Sequence, residues 1–174
     1  IAFASGMSAV DSCMKLLKAG DHVICSDDVY GGVSRHFNQI LVNYDLHFTY
    51  VNSSNSANIE NAIQSNTKLI WIETPTNPLL KITDLEAVGN IAKKHNLKVI
   101  YDACHAFNVN YKNHNILNYG DISTLSFHAT KTFHTIEGGA LIINDDKLVE
   151  KVRYLINFGI KNAEEIVALG TNGK

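Results

Sequence analysis

Short apolar segments alternate with amphipathic segments along most of this chain. Apolar residues at helical spacing, such as Val10, Met14 and Leu17, indicate a helix, whereas short uninterrupted apolar segments indicate buried strands. Strands that alternate with helices need crossover connections, which favour an α/β fold with a mainly parallel sheet and helices on both faces. The predicted strands are 1–4, 22–26, 46–51, 68–73, 98–101, 122–127 and 140–143, and the predicted helices are 7–18, 58–64, 84–94 and 147–158. No helical pattern separates the last two strands, so one of them is free to run antiparallel.

The composition argues against nucleic acid and membrane as partners. The 174 residues suffice for one sizeable core, and 45% hydrophobic with 18% charged residues is ordinary for a globular domain. A net charge of −2 gives no electrostatic attraction to nucleic acid or to anionic lipid. No apolar run reaches transmembrane length and no signal peptide is visible. Cys13, Cys25 and Cys104 stand in unrelated contexts, as reduced thiols do, and we expect a cytoplasmic location.

Lys131 lies in the loop that opens after the predicted strand 122–127 and has no acidic residue within five positions. A lysine that is desolvated and unpaired gives up its proton more readily and can then attack a carbonyl group. Covalent attachment of pyridoxal 5'-phosphate (PLP) requires this chemistry, so Lys131 is a candidate Schiff-base lysine. The alternative is a solvated loop lysine, which is the common situation after a strand.

Two further segments fit the same cofactor. In open α/β sheets, ligands bind beyond the carboxyl ends of the strands. The turn at Gly6 joins a predicted strand to a helix start, where free N–H groups favour a phosphate; the alternative is a plain tight turn. Asp102 ends another strand, and a carboxylate there can keep a pyridinium nitrogen protonated; the alternative is a helix N-cap or loop acid.

Four other residues offer contacts to a flat phosphorylated cofactor. Tyr30 can stack on the ring, or it is a half-buried aromatic beside a flexible turn. Asn77 can donate to a ring hydroxyl, although two nearby prolines make a rigid turn an equal explanation. Ser126 and Thr130 can bind the phosphate, or they satisfy backbone groups at the end of the strand.

The histidines do not form a metal-binding pattern. His105, His114, His128 and His134 lie in one half of the chain but lack the paired spacing of zinc ligands, so we predict no metal site. The glycine-rich signatures of dinucleotide-binding and P-loop proteins are absent as well.

Residues 1 to about 90 resemble the PLP-dependent enzymes of Cys/Met metabolism, the cystathionine γ-lyase and γ-synthase family. The resemblance implies that Gly6 and Met7 bind the cofactor phosphate, that Tyr30 stacks on the ring and that Asn77 contacts its hydroxyl. The matching strings are Phe3-Ala4-Ser5-Gly6-Met7, Leu17-Lys18-Ala19-Gly20-Asp21, Asp27-Asp28-Val29-Tyr30-Gly31-Gly32 and Glu73-Thr74-Pro75-Thr76-Asn77-Pro78.

Residues from about 95 onward instead resemble the DegT/DnrJ family of sugar aminotransferases. This resemblance implies that Asp102 is the pyridinium partner, His105 a ring contact, Ser126 a phosphate ligand and Lys131 the Schiff-base lysine. The lyase family places its phosphate serine where this chain has His128, so the sequence predicts a hybrid with a seam near 90–98. The matching strings are His95-Asn96-Leu97-Lys98-Val99-Ile100, Asp102-Ala103-Cys104-His105-Ala106, Gly120-Asp121-Ile122-Ser123, Ser126-Phe127-His128-Ala129-Thr130-Lys131 and Glu137-Gly138-Gly139-Ala140.

Both families share the PLP fold type I large domain, similar to that of aspartate aminotransferase. We therefore expect 1–174 to be part of such a domain, without its N-terminal segment and C-terminal small domain, and we expect intact relatives to be dimers or larger. The expected catalytic residues are Lys131, Tyr30 and Asp102. Transsulfuration of sulfur amino acids is the favoured reaction because Tyr30 can serve as an acid/base. The alternatives are transamination of a keto-sugar nucleotide and a non-catalytic α/β fragment.

Overall fold

The computed structural model describes residues 1–173, which form two compact units. Unit 1 consists of Ile1–Leu16, Cys104–Asn118 and the described residues from Ile122 onward, and unit 2 consists of Leu17–Ala103 and Tyr119–Asp121. In chain order the strands are β1 (Ala2–Phe3), β2 (His22–Ser26), β3 (His47–Val51), β4 (Thr67–Glu73), β5 (Lys98–Asp102), β6 (Asn110–Tyr111), β7 (His114–Asn115), β8 (Ile122–Ser126) and β9 (Gly139–Ile143). The α-helices are α1 (Gly6–Met14), α2 (Gly31–Arg35), α3 (Ser56–Asn61), α4 (Leu85–His95) and α5 (Asp146–Leu155).

Unit 2 is built on a parallel sheet with the strand order β5-β4-β2-β3. Every residue of β2 is buried, and so is nearly all of β4, which explains why the middle of each strand, at 23–25 and 69–72, is an uninterrupted apolar run in the sequence. Ile24 and Ile70 of these strands pack with Ile59 of α3 and with Val88 of α4. The parallel pairs match the α/β class that the sequence predicts.

An aromatic group occupies another part of the unit 2 core. The Phe37 ring stacks on Phe48 with centroids 4.7 Å apart and meets the Trp71 ring edge-on at 5.3 Å. Trp71 is fully buried, and its indole N–H has no hydrogen-bond partner within residues 1–173. The core therefore holds the only tryptophan of the chain in an apolar surrounding.

Unit 1 contains the antiparallel strands. β9 pairs antiparallel with both β8 and β1, with Ser126 opposite Gly139 and Ala2 opposite Ala140. β6 and β7 form a separate antiparallel hairpin. The sequence-based expectation that one of the two late strands runs antiparallel is confirmed.

Several boundaries differ from the predicted ones for local reasons. The predicted helix 147–158 ends at Leu155, and it cannot extend to Phe158, whose backbone is left-handed at φ 57°. The predicted helix 58–64 begins earlier, at Ser56, where the Asn55 side chain accepts the Ala57 N–H. The sequence did not predict α2, nor the π-helical turn His36–Ile40 and the 3-10 turn Leu41–Tyr44 that follow it.

None of the helices in residues 1–173 has the length and hydropathy needed to cross a membrane.

His22, at the start of β2, is a buried histidine with hydroxyl partners on both ring nitrogens. Its Nδ1 lies 2.8 Å from the Thr67 hydroxyl and its Nε2 lies 2.8 Å from the Thr49 hydroxyl, and the residue is 1% exposed. Burial lowers the pKa of His22 from the ordinary value of 6.5, and nearby His47 lowers it further. The folded chain therefore holds this imidazole neutral.

We expect the free energy of unfolding to fall as the pH drops from about 7.5 to about 5.5, because the unfolded chain takes up a proton at His22 before the folded chain does. Urea denaturation followed by Trp71 fluorescence at each pH measures this slope. In His22→Gln the slope should flatten, and in the control variant His114→Gln, at an exposed position, it should not change. Equal slopes in wild type and His22→Gln would contradict the assignment.

Candidate functional site

The start of α1 in unit 1 is a cluster of hydrogen-bond donors. Ser5 caps the helix by accepting the Ser8 N–H at 3.1 Å. The N–H groups of Gly6 and Met7 open the helix and have no acceptor within it. A Cβ added to Gly6 would lie 2.9 Å from the Cβ of Ser126 and 3.1 Å from its hydroxyl oxygen, so the last residue of β8 stands directly against this helix start.

A second glycine makes the same approach possible from β9. A Cβ added to Gly139 would lie 2.5 Å from the carbonyl oxygen of Ser5 and 2.7 Å from the Gly6 nitrogen. Backbone atoms cannot move aside as a flexible side chain can, so this position requires glycine. The two glycines together place the Ser126 hydroxyl beside two helix-start N–H groups, a donor set that suits a phosphate dianion.

Lys131 lies on the loop 127–138 between β8 and β9. Two backbone bonds of 2.8 Å close this loop, from the Phe127 N–H to Gly138 and from the Ala129 N–H to Ile136. Lys131 itself is partly buried, and its backbone N–H donates to His128 at 2.9 Å. Within the described residues its ammonium group takes part in no hydrogen bond and no ion pair, as expected from the lack of nearby acids in the sequence.

His128 organises the backbone just before Lys131. Its Nδ1 lies 2.9 Å from the Thr130 hydroxyl and 3.3 Å from the Thr130 nitrogen, and its Nε2 lies 3.6 Å from a Glu137 carboxylate oxygen. The Thr130 hydroxyl, predicted to bind phosphate, is exposed and engaged with this imidazole. The Ser126 hydroxyl is the one that lies at the helix start.

Three phenylalanines pack around the base of the Lys131 loop. The Phe107 and Phe133 rings stack with centroids 4.5 Å apart, and Phe127 meets both edge-on, at 6.0 Å and 5.3 Å. No sequence pattern indicates this group, because its members have neither helical nor strand spacing. Since Phe133 follows Lys131 by two positions, the stack restrains the segment that carries the lysine.

Two buried carboxylates meet at the carboxyl ends of β4 and β5 in unit 2. Asp102 ends β5 as predicted, is 2% exposed, and stands in register with Glu73, which is also 2% exposed. Burial raises the pKa of the Cys25 thiol well above its usual range, and the negative charges of Glu73, Asp102 and Asp27 add to that rise. Cys25 is therefore a protonated core thiol rather than a nucleophile.

Hydrogen bonds connect the segment that contains Tyr30 to the segment that contains Asn77. Asp28 accepts a bond of 2.5 Å from the Thr76 hydroxyl and one of 2.8 Å from the Leu79 N–H. Tyr30 and Asn77 themselves are both exposed. Nothing in the local sequence pattern indicates these two hydrogen bonds, because their partners are 48 and 51 residues apart.

The sequence-predicted site residues divide between the units. Within unit 1, Gly6 and Ser126 are in contact, while His105 is exposed in the turn after β5. Within unit 2, the Tyr30 N–H donates to Glu73, the register neighbour of Asp102. Unit 1 holds Gly6, Met7, His105, Ser126, Thr130 and Lys131, and unit 2 holds Tyr30, Asn77 and Asp102. No group of three or more His, Cys, Asp or Glu in residues 1–173 is placed to hold a metal ion.

Comparison with known proteins gives one consistent family. The family model described as Cys/Met metabolism PLP-dependent enzyme matches residues 1–164. A probable cystathionine gamma-synthase of Herpetosiphon aurantiacus is 38% identical over 161 residues, which cover 90% of this chain and 49% of the relative. The cystathionine gamma-lyase of Bacillus subtilis is 41% identical over 159 residues, covering 90% of this chain and 41% of the relative.

A solved structure agrees with these relatives. The crystal structure of cystathionine gamma-lyase from Lactobacillus plantarum complexed with L-serine superposes with a TM-score of 0.78 at 37% identity, covering 88% of this chain and 40% of that one. The chain thus spans less than half the length of these relatives. The predicted mainly parallel α/β fold of PLP fold type I is confirmed.

The comparisons also bear on the predicted seam. A single family match runs through 90–98 and on to residue 164, so the likeness expected for the first half extends over most of the second. The resemblance of the second half to the sugar aminotransferases finds no support among these relatives.

We expect Phe133→Ala to loosen the Lys131 loop, because it removes two of the three ring contacts of the phenylalanine group. Aromatic pairs of this kind contribute about 0.5–1.5 kcal/mol each, so amide exchange at Ala129 and Thr135 should accelerate about tenfold. Phe158→Ala, at an exposed ring without an aromatic partner in the described chain, is the control. Unchanged exchange in Phe133→Ala would show that the backbone bonds alone hold the loop.

Proposed function

This chain belongs to the Cys/Met metabolism family of PLP-dependent enzymes, and we infer that the whole protein catalyses transsulfuration of sulfur amino acids by eliminating or replacing a sulfur-bearing γ-substituent. PLP is the cofactor of this family. The observation that supports its binding here is the donor cluster at the start of α1, where the close approach of Gly6 and Ser126 leaves no room for a Cβ. Relatives named cystathionine gamma-synthase and gamma-lyase support the substrate class.

The donor cluster of unit 1 binds the phosphate in this proposal. The N–H groups of Gly6 and Met7 and the Ser126 hydroxyl donate to its oxygens, with Thr130 as a further donor. Lys131 Nζ, with no partner in the described residues, is the amine that holds the cofactor covalently. When free, the same nitrogen takes the proton from the substrate Cα.

The remaining proposed site residues would contact the ring of the cofactor. When bound, PLP supplies an electron sink for negative charge at the substrate Cα. Asp102 keeps the ring nitrogen protonated, a role that suits its buried carboxylate at the end of β5. Tyr30 would stack on the ring and donate a proton to the departing sulfur, and Asn77 and His105 are proposed as further ring contacts.

Transamination of a keto-sugar nucleotide is a second candidate function. One specific observation favours it: the hydroxyl beside Gly6 belongs to Ser126, five residues before Lys131, and the segment Ser126 to Lys131 is similar to that of the sugar aminotransferases. In this reaction Lys131 would be the sole proton carrier. A chain that binds no cofactor is the remaining alternative.

Partners and location are part of the same proposal. The substrate is a small amino compound, and the intact protein acts as a dimer or larger assembly. A cytoplasmic location is supported by Cys13, Cys25 and Cys104, which are all free thiols.

Adding PLP to the purified chain should produce a visible absorption band that is absent in Lys131→Ala. Borohydride reduction should then leave the cofactor mass on the peptide that contains Lys131, while Lys93→Ala, an exposed control in α4, behaves as wild type. With a band established, release of ammonia and a ketoacid from cystathionine marks the lyase, and amino-sugar formation with glutamate marks the transferase. Identical spectra for wild type and Lys131→Ala would refute PLP binding by this chain.

Ser126→Ala tests the phosphate assignment, because it removes the hydroxyl but keeps the Cβ against which Gly6 packs. A hydrogen bond to a charged group contributes about 1.5–3 kcal/mol, so affinity for PLP should fall at least about tenfold. Affinity for pyridoxal, which lacks the phosphate, should not change, and Ser54→Ala at an exposed position is the control. Equal losses for both ligands would show that Ser126 acts elsewhere.

A further inference from the structure

A buried carboxylate holds the backbone of Tyr30. The Tyr30 N–H donates to Glu73 Oε2 at 2.8 Å, and Glu73 is 2% exposed whereas Tyr30 is 47% exposed. Hydrogen bonds from N–H groups to carboxylates are stronger than those between neutral groups, and burial protects them from water. Tyr30 stands just before the first residue of α2, and its own side chain makes no capping bond. Glu73 therefore fixes the residue where the chain enters this helix.

The ring of Tyr30 lies on the backbone of Gly32. A Cβ added to Gly32 would overlap the ring atom Cε1 and lie 3.0 Å from Cδ1 and from Cζ. The backbone of Gly32 is not among the positive-φ positions, so this glycine is needed for space and not for its conformational freedom. Any side chain at this position would displace the Tyr30 ring from its contact with the Gly32 backbone.

The neighbouring glycine shows that the requirement is specific to Gly32. A Cβ added to Gly31 would meet only the end of the Arg35 side chain, at 3.3 Å, and that flexible group can move aside. Both glycines open the same short helix and both would gain the helix propensity of alanine. A comparison of the two positions therefore isolates the contact with the ring.

We propose that Glu73 and Gly32 are positioning residues for Tyr30. The Glu73 carboxylate fixes the Tyr30 amide, and the Gly32 backbone supports one face of the Tyr30 ring. The other face of the ring is left to contact a flat ligand. The role of that ligand-facing side rests on the proposed function, in which Tyr30 stacks on the cofactor. Neither positioning residue touches the ligand in this arrangement. Their effect on binding passes through the orientation of the ring.

The positioning is measurable on the full chain without PLP. In Gly32→Ala, nitration of Tyr30 by tetranitromethane should accelerate at least about threefold, because the nitrated carbons are the Cε atoms and Cε1 lies on Gly32. Mass spectrometry of the Tyr30 peptide gives the rate, with exposed Tyr44 and Tyr111 as internal references. Gly31→Ala should leave the rate unchanged. Equal nitration rates in Gly32→Ala and Gly31→Ala would overturn the proposal that Gly32 positions the Tyr30 ring.

The carboxylate is tested by amide exchange at Tyr30. Exchange should accelerate about ten- to hundredfold in Glu73→Ala and less in Glu73→Gln, which keeps the shape and an acceptor oxygen but loses the charge. Trp71 fluorescence reports folding of each variant, and Glu73→Gln serves alone where Glu73→Ala fails to fold. An unchanged exchange rate in a folded Glu73→Gln and Glu73→Ala pair would overturn the role of Glu73.

A final titration with PLP separates this inference from the proposed function. Weaker PLP binding in Gly32→Ala than in Gly31→Ala supports both. If the nitration rate responds to Gly32→Ala but PLP affinity does not, Gly32 positions the Tyr30 ring and the proposal that Tyr30 stacks on the cofactor is wrong. If neither responds, the positioning fails even where wild type forms its Lys131-dependent band.

Discussion

The turn before α1 lies so close to the ends of β8 and β9 that neither Gly6 nor Gly139 has room for a Cβ. This one steric constraint brings backbone N–H groups and the Ser126 hydroxyl to the same point in unit 1. Backbone atoms on both sides of the contact leave little freedom for adjustment, so the donor cluster is set before any ligand arrives. Preorganised donors of this kind bind an anion without the cost of ordering themselves first.

Unit 2 depends on a different kind of group, a pair of buried acids. A carboxylate removed from water is costly unless it is hydrogen-bonded, and Glu73 meets that requirement in part through the Tyr30 N–H. Replacing both acids by apolar residues would suit a core better. The roles proposed for Asp102 at the ring nitrogen and for Glu73 at Tyr30 explain the presence of these acids better than stability does.

The sequence predicted strands well and contacts poorly. β2 was predicted at its observed bounds because an apolar run at its centre indicates a strand buried on both faces, and Asp102 and Ser126 were placed correctly at strand ends. The Tyr30–Glu73 bond joins residues 43 positions apart, and the phenylalanine group joins Phe107 to the loop 127–138, so no local pattern reports either. The predicted family seam rested on short strings, whereas the family match compares residues 1–164 as one continuous stretch.

The only tryptophan of the chain, Trp71, is fully buried in unit 2, and its indole N–H finds no partner among residues 1–173. Tryptophan fluorescence consequently reports the unfolding of unit 2 and not that of unit 1. A single smooth transition in a fluorescence melting curve therefore does not show that the Lys131 loop unfolds at the same temperature. A cofactor attached at Lys131 would be a second, independent chromophore in unit 1. Recording both signals on one sample would show whether the two halves of the chain lose their structure as one cooperative system or in succession.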